Sequence, residues 1–249
     1  MKNISSKEAG NKLIFALDAN NYENALSWVE LLSGHVGMFK VGKELFTAVG
    51  PKIIQSIKER GQRVFLDLKF HDIPNTVARA AEAAVGLNVD MFNIHASGGS
   101  RMIKEAALAT WNCSDKLGKA RPVLLAVTIL TSLNNEDLTE IGFQKSTSEL
   151  VLHLAKLAKQ SGVSGVVASA QDIAMLRENL GDKFVIVTPG IRSAAGTKKD
   201  DQKRTLSAYE AIKTGADYIV VGRPIREAPA PLEACRQIVQ EIAAGLAAR

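Results

Sequence analysis

Apolar residues along this chain fall into short, nearly continuous runs, at residues 13–17, 36–41, 64–68, 89–94, 123–129, 163–168, 184–187 and 218–221. Runs of that length, bounded by polar and glycine-containing segments, predict strands. Most are unbroken rather than alternating, the pattern of strands covered on both faces in a parallel sheet. The intervals read as helices. Leu150, Val151, Leu154, Leu157 and Ala158 form one apolar stripe, with Glu149, Lys156, Lys159 and Gln160 elsewhere on the wheel. Ser146-x-x-Glu149 and Ser207-x-x-Glu210 have the form of capping boxes. Gly61, Gly162, Gly181 and Gly215 each follow a helical pattern and precede a strand, as a helix-terminating glycine should.

Strands alternating with helices predict a parallel α/β sheet. Eight strands in 249 residues give about 31 residues per unit, the period of a (β/α)8 TIM barrel of ordinary size. A doubly wound open sheet is the alternative, but it would more usually carry five or six strands. No linker or low-complexity segment interrupts the pattern, so residues 1–249 are expected to form a single domain.

Composition narrows the class. Aromatics are only 5% of the chain, so the core must be built from Ala, Val, Leu and Ile. The net charge of +5 is spread along the sequence; it favours an anionic ligand weakly and a nucleic-acid surface hardly at all. Cys113 and Cys235 have neither metal-ligand spacing nor a disulfide framework. With no membrane-length apolar run and no apolar signal segment near Met1, a cytoplasmic protein without membrane or nucleic-acid partners is expected.

In a barrel, chemistry belongs at the C-terminal ends of the strands. Polar residues collect there. The first run ends at Asp18 and Asn20, the second at Lys40, the fourth at His95, the fifth at Thr128, Thr131 and Ser132, the seventh at Thr188 and the eighth at Arg223; only the sixth, ending Ala168-Ser169-Ala170, is quiet. The third is the richest, Phe65-Leu66-Asp67-Leu68-Lys69-Phe70-His71-Asp72-Ile73-Pro74-Asn75-Thr76. Strand alternation would put Asp67 and Lys69 on one face and Leu66 and Leu68 on the other. Pro74 should stop the strand, with Asn75 capping a helix that starts near Thr76. Charged residues at the end of an apolar strand are rarely buried unless paired. Lys40 ends the neighbouring strand, so Lys40, Asp67, Lys69 and Asp72 are expected to alternate in sign. The carboxylates would keep both lysines protonated, which suits a general acid and not a Schiff-base nucleophile.

The loops after the seventh and eighth runs carry Pro189-Gly190-Ile191-Arg192 and Gly222-Arg223. Barrels often bind phosphate there, with glycine admitting backbone N–H groups and arginine supplying a bidentate fork. The polar segment 193–203 between Arg192 and Arg204 is long enough to act as a lid. His71 and His95 lack the clustering of metal ligands and read as structural.

Together these motifs resemble the orotidine 5′-phosphate decarboxylase family. The resemblance rests on Asp67-x-Lys69-x-x-Asp72-Ile73-Pro74-Asn75-Thr76, Phe39-Lys40-Val41-Gly42, Ala16-Leu17-Asp18, Thr188-Pro189-Gly190-Ile191-Arg192 and Val221-Gly222-Arg223. It implies a homodimeric barrel that converts orotidine 5′-monophosphate to uridine 5′-monophosphate (UMP) and carbon dioxide, the last step of de novo UMP synthesis, without metal or cofactor. It further implies that Lys69 protonates C6, that Asp67 lies against the substrate carboxylate, and that Lys40 contacts ribose and the catalytic carboxylates. Asp72 and Thr76 would reach the neighbouring subunit's site. Asp18 would hold ribose hydroxyls, Thr131 the pyrimidine edge, and Gln202, Gly222, Arg223 and Arg192 the phosphate. The rival enzymatic reading is a metal-dependent sugar-phosphate barrel, either a synthase or a β-keto-acid decarboxylase. The non-catalytic rival is a nucleotide- or RNA-binding module, which the scarcity of aromatics disfavours.

Overall fold

In a computed structural model, which describes residues 4–191 and 206–249, eight parallel strands close on themselves in sequence order. They are β1 (Leu13–Ala16), β2 (Met38–Gly42), β3 (Val64–Phe70), β4 (Met91–His95), β5 (Val123–Val127), β6 (Gly165–Val167), β7 (Val185–Thr188) and β8 (Tyr218–Val221). β1 pairs with both β2 and β8, which closes the barrel. The expected (β/α)8 architecture is therefore present, and the open doubly wound sheet is not.

The continuous apolar runs follow from this geometry. Ile14, Ala16, Met38, Phe65, Met91, Leu125, Val187 and Val220 pack inside the barrel. Their neighbours Leu13, Phe15, Phe39, Val64, Leu66, Phe92 and Ile94 pack outward against the helices. Both faces exclude water, so neither can be polar without a partner. Two runs are at least two residues longer than their strands: β5 stops at Val127 and β6 spans three residues. Ile129 and Ala168 instead continue into loops and stay buried there, 8% and 1% exposed.

Local signals at helix ends are largely obeyed. Both expected capping boxes close, at the starts of helices Thr147–Gln160 and Ala208–Thr214. A third, Asn134 with Asp137, starts helix Asn135–Glu140. Gly181 and Gly215 terminate helices as expected. One expectation fails. The helix after β3 begins at Pro74, with Ile73 as its N-cap, and Asn75 lies inside its first turn without capping it. Proline is preset for the first helical turn and lacks the N–H that would go unsatisfied there. It therefore opens the helix rather than merely stopping the strand. No helix among the described residues is long and apolar enough to cross a membrane.

Candidate active site

The C-terminal mouth of the barrel opens on a cavity of about 270 Å³. Its polar wall is built by the first four strands. Asp18 lies just beyond β1, Lys40 is on β2, Asp67 and Lys69 are on β3, and Asn93 is on β4. The opposite wall is apolar, with Val127, Ile129, Val167, Ala168 and Pro189. Thr131, Gly190, Gly222 and Arg223 lie along the rim. Four of the five charged residues lining the cavity thus come from β1–β3, and the fifth, Arg223, follows β8. The quiet end of β6 is quiet because it belongs to the apolar wall.

The charged side chains form a connected row. Lys40 Nζ sits 3.4 Å from Asp18 Oδ1 and 3.3 Å from Asp67 Oδ2. Lys69 Nζ donates to Asp67 Oδ1 at 2.6 Å. Signs alternate as expected, but the fourth member is Asp18 and not Asp72. Asp72 is exposed beyond the strand end, where its carboxylate accepts the Ile73 N–H at 2.6 Å. Thr76 is exposed on the first turn of the following helix. Neither lines the cavity of this chain, because Pro74 turns the chain away from the barrel mouth within two residues of Asp72. Arg192 and Gln202 lie outside the described residues, as does the segment 193–203.

The row sits in a protected environment: the Lys40 and Asp67 side chains are each 12% exposed. Burial by itself would neutralise both. For Asp67, burial pushes the carboxyl up, but Lys40, Lys69 and the hydrogen bonds from Lys69 and Asn93 outweigh it and hold the group below the ordinary carboxylate range. For Lys40, burial pulls the ammonium down, and Asp67 and Asp18 more than restore it, so it stays above its ordinary value. Both groups are therefore fixed in their charged forms across the neutral range.

β3 departs from a regular strand at this point. Its pairing with β4 runs Phe65↔Met91 and Leu66↔Phe92, then skips to Phe70↔Ile94. Lys69 occupies left-handed space, φ 54°. Simple alternation had put Lys69 beside Asp67, and the amine does reach it. The backbone makes that approach through an irregularity that no residue pattern announced. Asn93 compensates. Its Oδ1 accepts the Lys69 backbone N–H at 2.8 Å and its Nδ2 donates to Asp67 Oδ1 at 2.7 Å. Asn93 was missed as a site residue, although a lone amide within the apolar run Met91-Phe92-Asn93-Ile94 was the signal available.

Beyond the end of β8, Gly222 leads into the short helix Arg223–Arg226. A Cβ at Gly222 would lie 3.2 Å from Ala16 Cβ and 3.5 Å from Asp18 Oδ2, so glycine keeps the rim open beside Asp18. Arg226, also unanticipated, donates to the Asp18 carbonyl at 3.0 Å and approaches its Oδ2 at 3.4 Å. Asp18 is therefore held between Lys40 and Arg226. His71 and His95 face each other, ring centroids 5.5 Å apart, and neither lines the cavity. Burial, then the His71, Lys69 and Lys43 charges, push His95 down to about 4.

An ammonium held in the wall of a half-apolar cavity, with its carboxylate partner beside it, can stabilise a developing anion and deliver a proton to it. The rim glycines and Arg223 suit a phosphate. Comparison with known proteins identifies the family. A family model described as the orotidine 5′-phosphate decarboxylase / HUMPS family matches residues 11–238. The orotidine 5′-phosphate decarboxylase of Syntrophus aciditrophicus is 56% identical over 249 residues, covering 100% of this chain and 99% of that protein. That of Geotalea daltonii is 51% identical over 97% of this chain and 100% of its own length. The crystal structure of orotidine 5′-phosphate decarboxylase from Lactobacillus acidophilus superposes with a TM-score of 0.82 at 40% identity, covering 92% of this chain and 98% of the other. With barrel, charged row and full-length relatives in agreement, the chain belongs to the orotidine 5′-phosphate decarboxylase / HUMPS family.

Proposed function

We propose that the chain decarboxylates orotidine 5′-monophosphate to UMP and carbon dioxide, with the Lys69 ammonium as proton donor to C6. The observation that carries this reading is the connected row Asp18–Lys40–Asp67–Lys69 lining the cavity, with Lys40 and Asp67 at its protected centre. Breaking the C6–carboxylate bond leaves its electron pair on a ring carbon with little delocalisation. A cation already fixed at that carbon stabilises the charge as it forms, without reorganising solvent. The proton then passes from Lys69 Nζ to C6, and the neutral amine regains one from water. Asp67 aims Lys69 and faces the departing carboxylate. Lys40, tied to Asp18, orders the ribose end, with Thr131 at the pyrimidine edge and Gly222 and Arg223 at the phosphate.

Enzymes lower barriers by about 8–23 kcal/mol, and so unassisted a carbanion belongs near the upper end. One ion pair cannot supply that. Binding energy from the remote phosphate, realised in the transition state, is the second source. We also assign a homodimer in the cytoplasm, each barrel acting as one domain. Asp72 and Thr76 are exposed beside Ile73, itself 67% exposed, which supports a second copy covering this edge and receiving both side chains into its site.

The rival reading, a metal-dependent sugar-phosphate barrel, gives the cavity a divalent metal. Lys40 stands against it, because its ammonium occupies the space between Asp18 and Asp67 that a cation would take. The test is purified protein mixed with orotidine 5′-monophosphate and excess EDTA, with the pyrimidine absorbance followed as carboxylate is lost. Sustained turnover supports the reading. No turnover with orotidine 5′-monophosphate, or turnover abolished by EDTA and restored by magnesium, overturns it.

A further inference from the structure

We propose that Asn93 is a positioning residue for the reaction: its buried carboxamide sets both the backbone of Lys69 and the carboxylate of Asp67. The inference rests on Lys69 being the proton donor.

Three observations converge on this side chain. The first is the β3–β4 register. Three residues of β3 lie between Leu66 and Phe70, while a single residue of β4, Asn93, lies between their partners Phe92 and Ile94. The extra length is looped out around Lys69, whose N–H has left the ladder. The second is the left-handed backbone at Lys69, φ 54°, a conformation that costs a residue with a Cβ about 1–2 kcal/mol. Such strain persists where surrounding contacts over-determine it. The contact found there is Asn93 Oδ1 on the Lys69 N–H at 2.8 Å. The third is that Asn93 Nδ2 donates at 2.7 Å to Asp67 Oδ1, the same oxygen that receives Lys69 Nζ at 2.6 Å. A closed ring results, from the Lys69 backbone through Asn93 to Asp67 and back to the Lys69 amine. Asn93 is 1% exposed, so water cannot take over either bond.

The ring explains why the residue is an amide. It must accept from a backbone N–H and donate to a carboxylate at the same time. A carboxylate at this position accepts but cannot donate, and an aliphatic residue does neither. A carboxylic acid can do both, but only while protonated. That difference separates positioning from simple space filling.

The experiment compares wild-type protein with Asn93→Ala and Asn93→Asp, measuring kcat for orotidine 5′-monophosphate and the Kd and stoichiometry of UMP binding. For Asn93→Ala, kcat should fall about 10- to 100-fold, the loss expected of hydrogen bonds to a charged group. UMP should still bind at full stoichiometry with a Kd within about threefold, since fixed catalytic geometry and ground-state binding are separable. For Asn93→Asp, the new carboxyl faces the Asp67 carboxylate, the Lys40 and Lys69 ammonium groups, Asp18 beyond Lys40, and His95 two residues along β4. Two carboxylates in contact cannot both stay ionised cheaply. Its kcat relative to wild type should therefore rise as pH falls from 9 to 5, when protonation restores the donor.

A kcat within threefold of wild type for Asn93→Ala, or a ratio for Asn93→Asp that is flat with pH, overturns the proposal. So does loss of UMP binding in proportion to kcat. If Asn93→Ala fails to fold, the isosteric Asn93→Asp profile decides alone. A wild-type protein without decarboxylase activity overturns both this inference and the reading it rests on. An active wild type with unaffected variants overturns this inference only.

Discussion

Replacing Lys40 by methionine tests the charged row most severely, because it removes the cation between two carboxylates while keeping most of the side-chain volume. Asp67 lies 3.3 Å and Asp18 3.4 Å from the ammonium. At an effective dielectric near 20, each contact corresponds to about 5 kcal/mol of direct attraction, most of it offset by the cost of taking the charges out of water. Breaking a buried pair by removing one partner costs about 3–5 kcal/mol. Asp67 would keep Lys69 and Asn93, so the lower end applies, about 3 kcal/mol. For a chain of this length that is a fall in Tm of about 6–12 °C.

The deficit should depend on pH. In the wild type the Asp67 pKa is depressed, so its stabilisation is complete above the ordinary carboxylate range and is lost as pH falls through the depressed value. Lys40 is raised, so its contribution is complete below its ordinary 10.5 and is lost only as pH rises through the raised value. In Lys40→Met, Asp67 is less strongly held in its ionised form and protonates at a higher pH. The gap in Tm between wild type and variant should therefore be widest from about pH 5 to pH 10 and narrow at pH 3.5. Scanning calorimetry across that range is the assay. A gap under about 2 °C at pH 7, or one that does not narrow in acid, refutes the assignment of Lys40 as the counter-ion of a buried Asp67.

Two further outcomes are expected. Ser146→Ala opens the capping box of helix Thr147–Gln160, which does not line the cavity, and should cost about 1 kcal/mol, or 2–4 °C in Tm, with kcat unchanged. His95, held near 4 against an ordinary 6.5, stays neutral in the folded chain while the unfolded chain takes up a proton. That stabilisation is complete above 6.5 and is lost as pH falls towards 4. His95→Asn should thus lose less Tm than wild type between pH 6.5 and pH 4.5, and an equal loss would contradict the cause given for the His95 shift.

The barrel was legible because each strand is buried on both faces, which leaves an unbroken apolar run whatever the helices around it do. Helix starts at Ser146 and Ser207 were legible because a capping box is local, confined to four residues. The site was half legible. Lys40, Asp67 and Lys69 stand out as charges at the ends of apolar runs, and so does Asp18, but its place in the row beside Lys40 was not foreseen. The left-handed Lys69 was not legible, since it arises from a register break between β3 and β4, and register is a relation between strands distant in sequence. For the same reason Asn93 and Arg226 were missed: each acts on a residue contributed by another strand. Asp72 was placed in the row by sequence proximity, but the turn imposed by Pro74 carries it out of its own barrel's cavity.

The central claim is that a fixed ammonium at Lys69 carries the chemistry while the rest of the cavity carries the binding. Its most direct test is Lys69→Ala, with single-turnover decarboxylation of orotidine 5′-monophosphate and the Kd for UMP measured on the same preparation. Removing both the charge and the proton donor should slow decarboxylation by at least about 1,000-fold, with the UMP Kd changed by less than about tenfold. Turnover within tenfold of wild type, or loss of UMP affinity that matches the loss of rate, would contradict it.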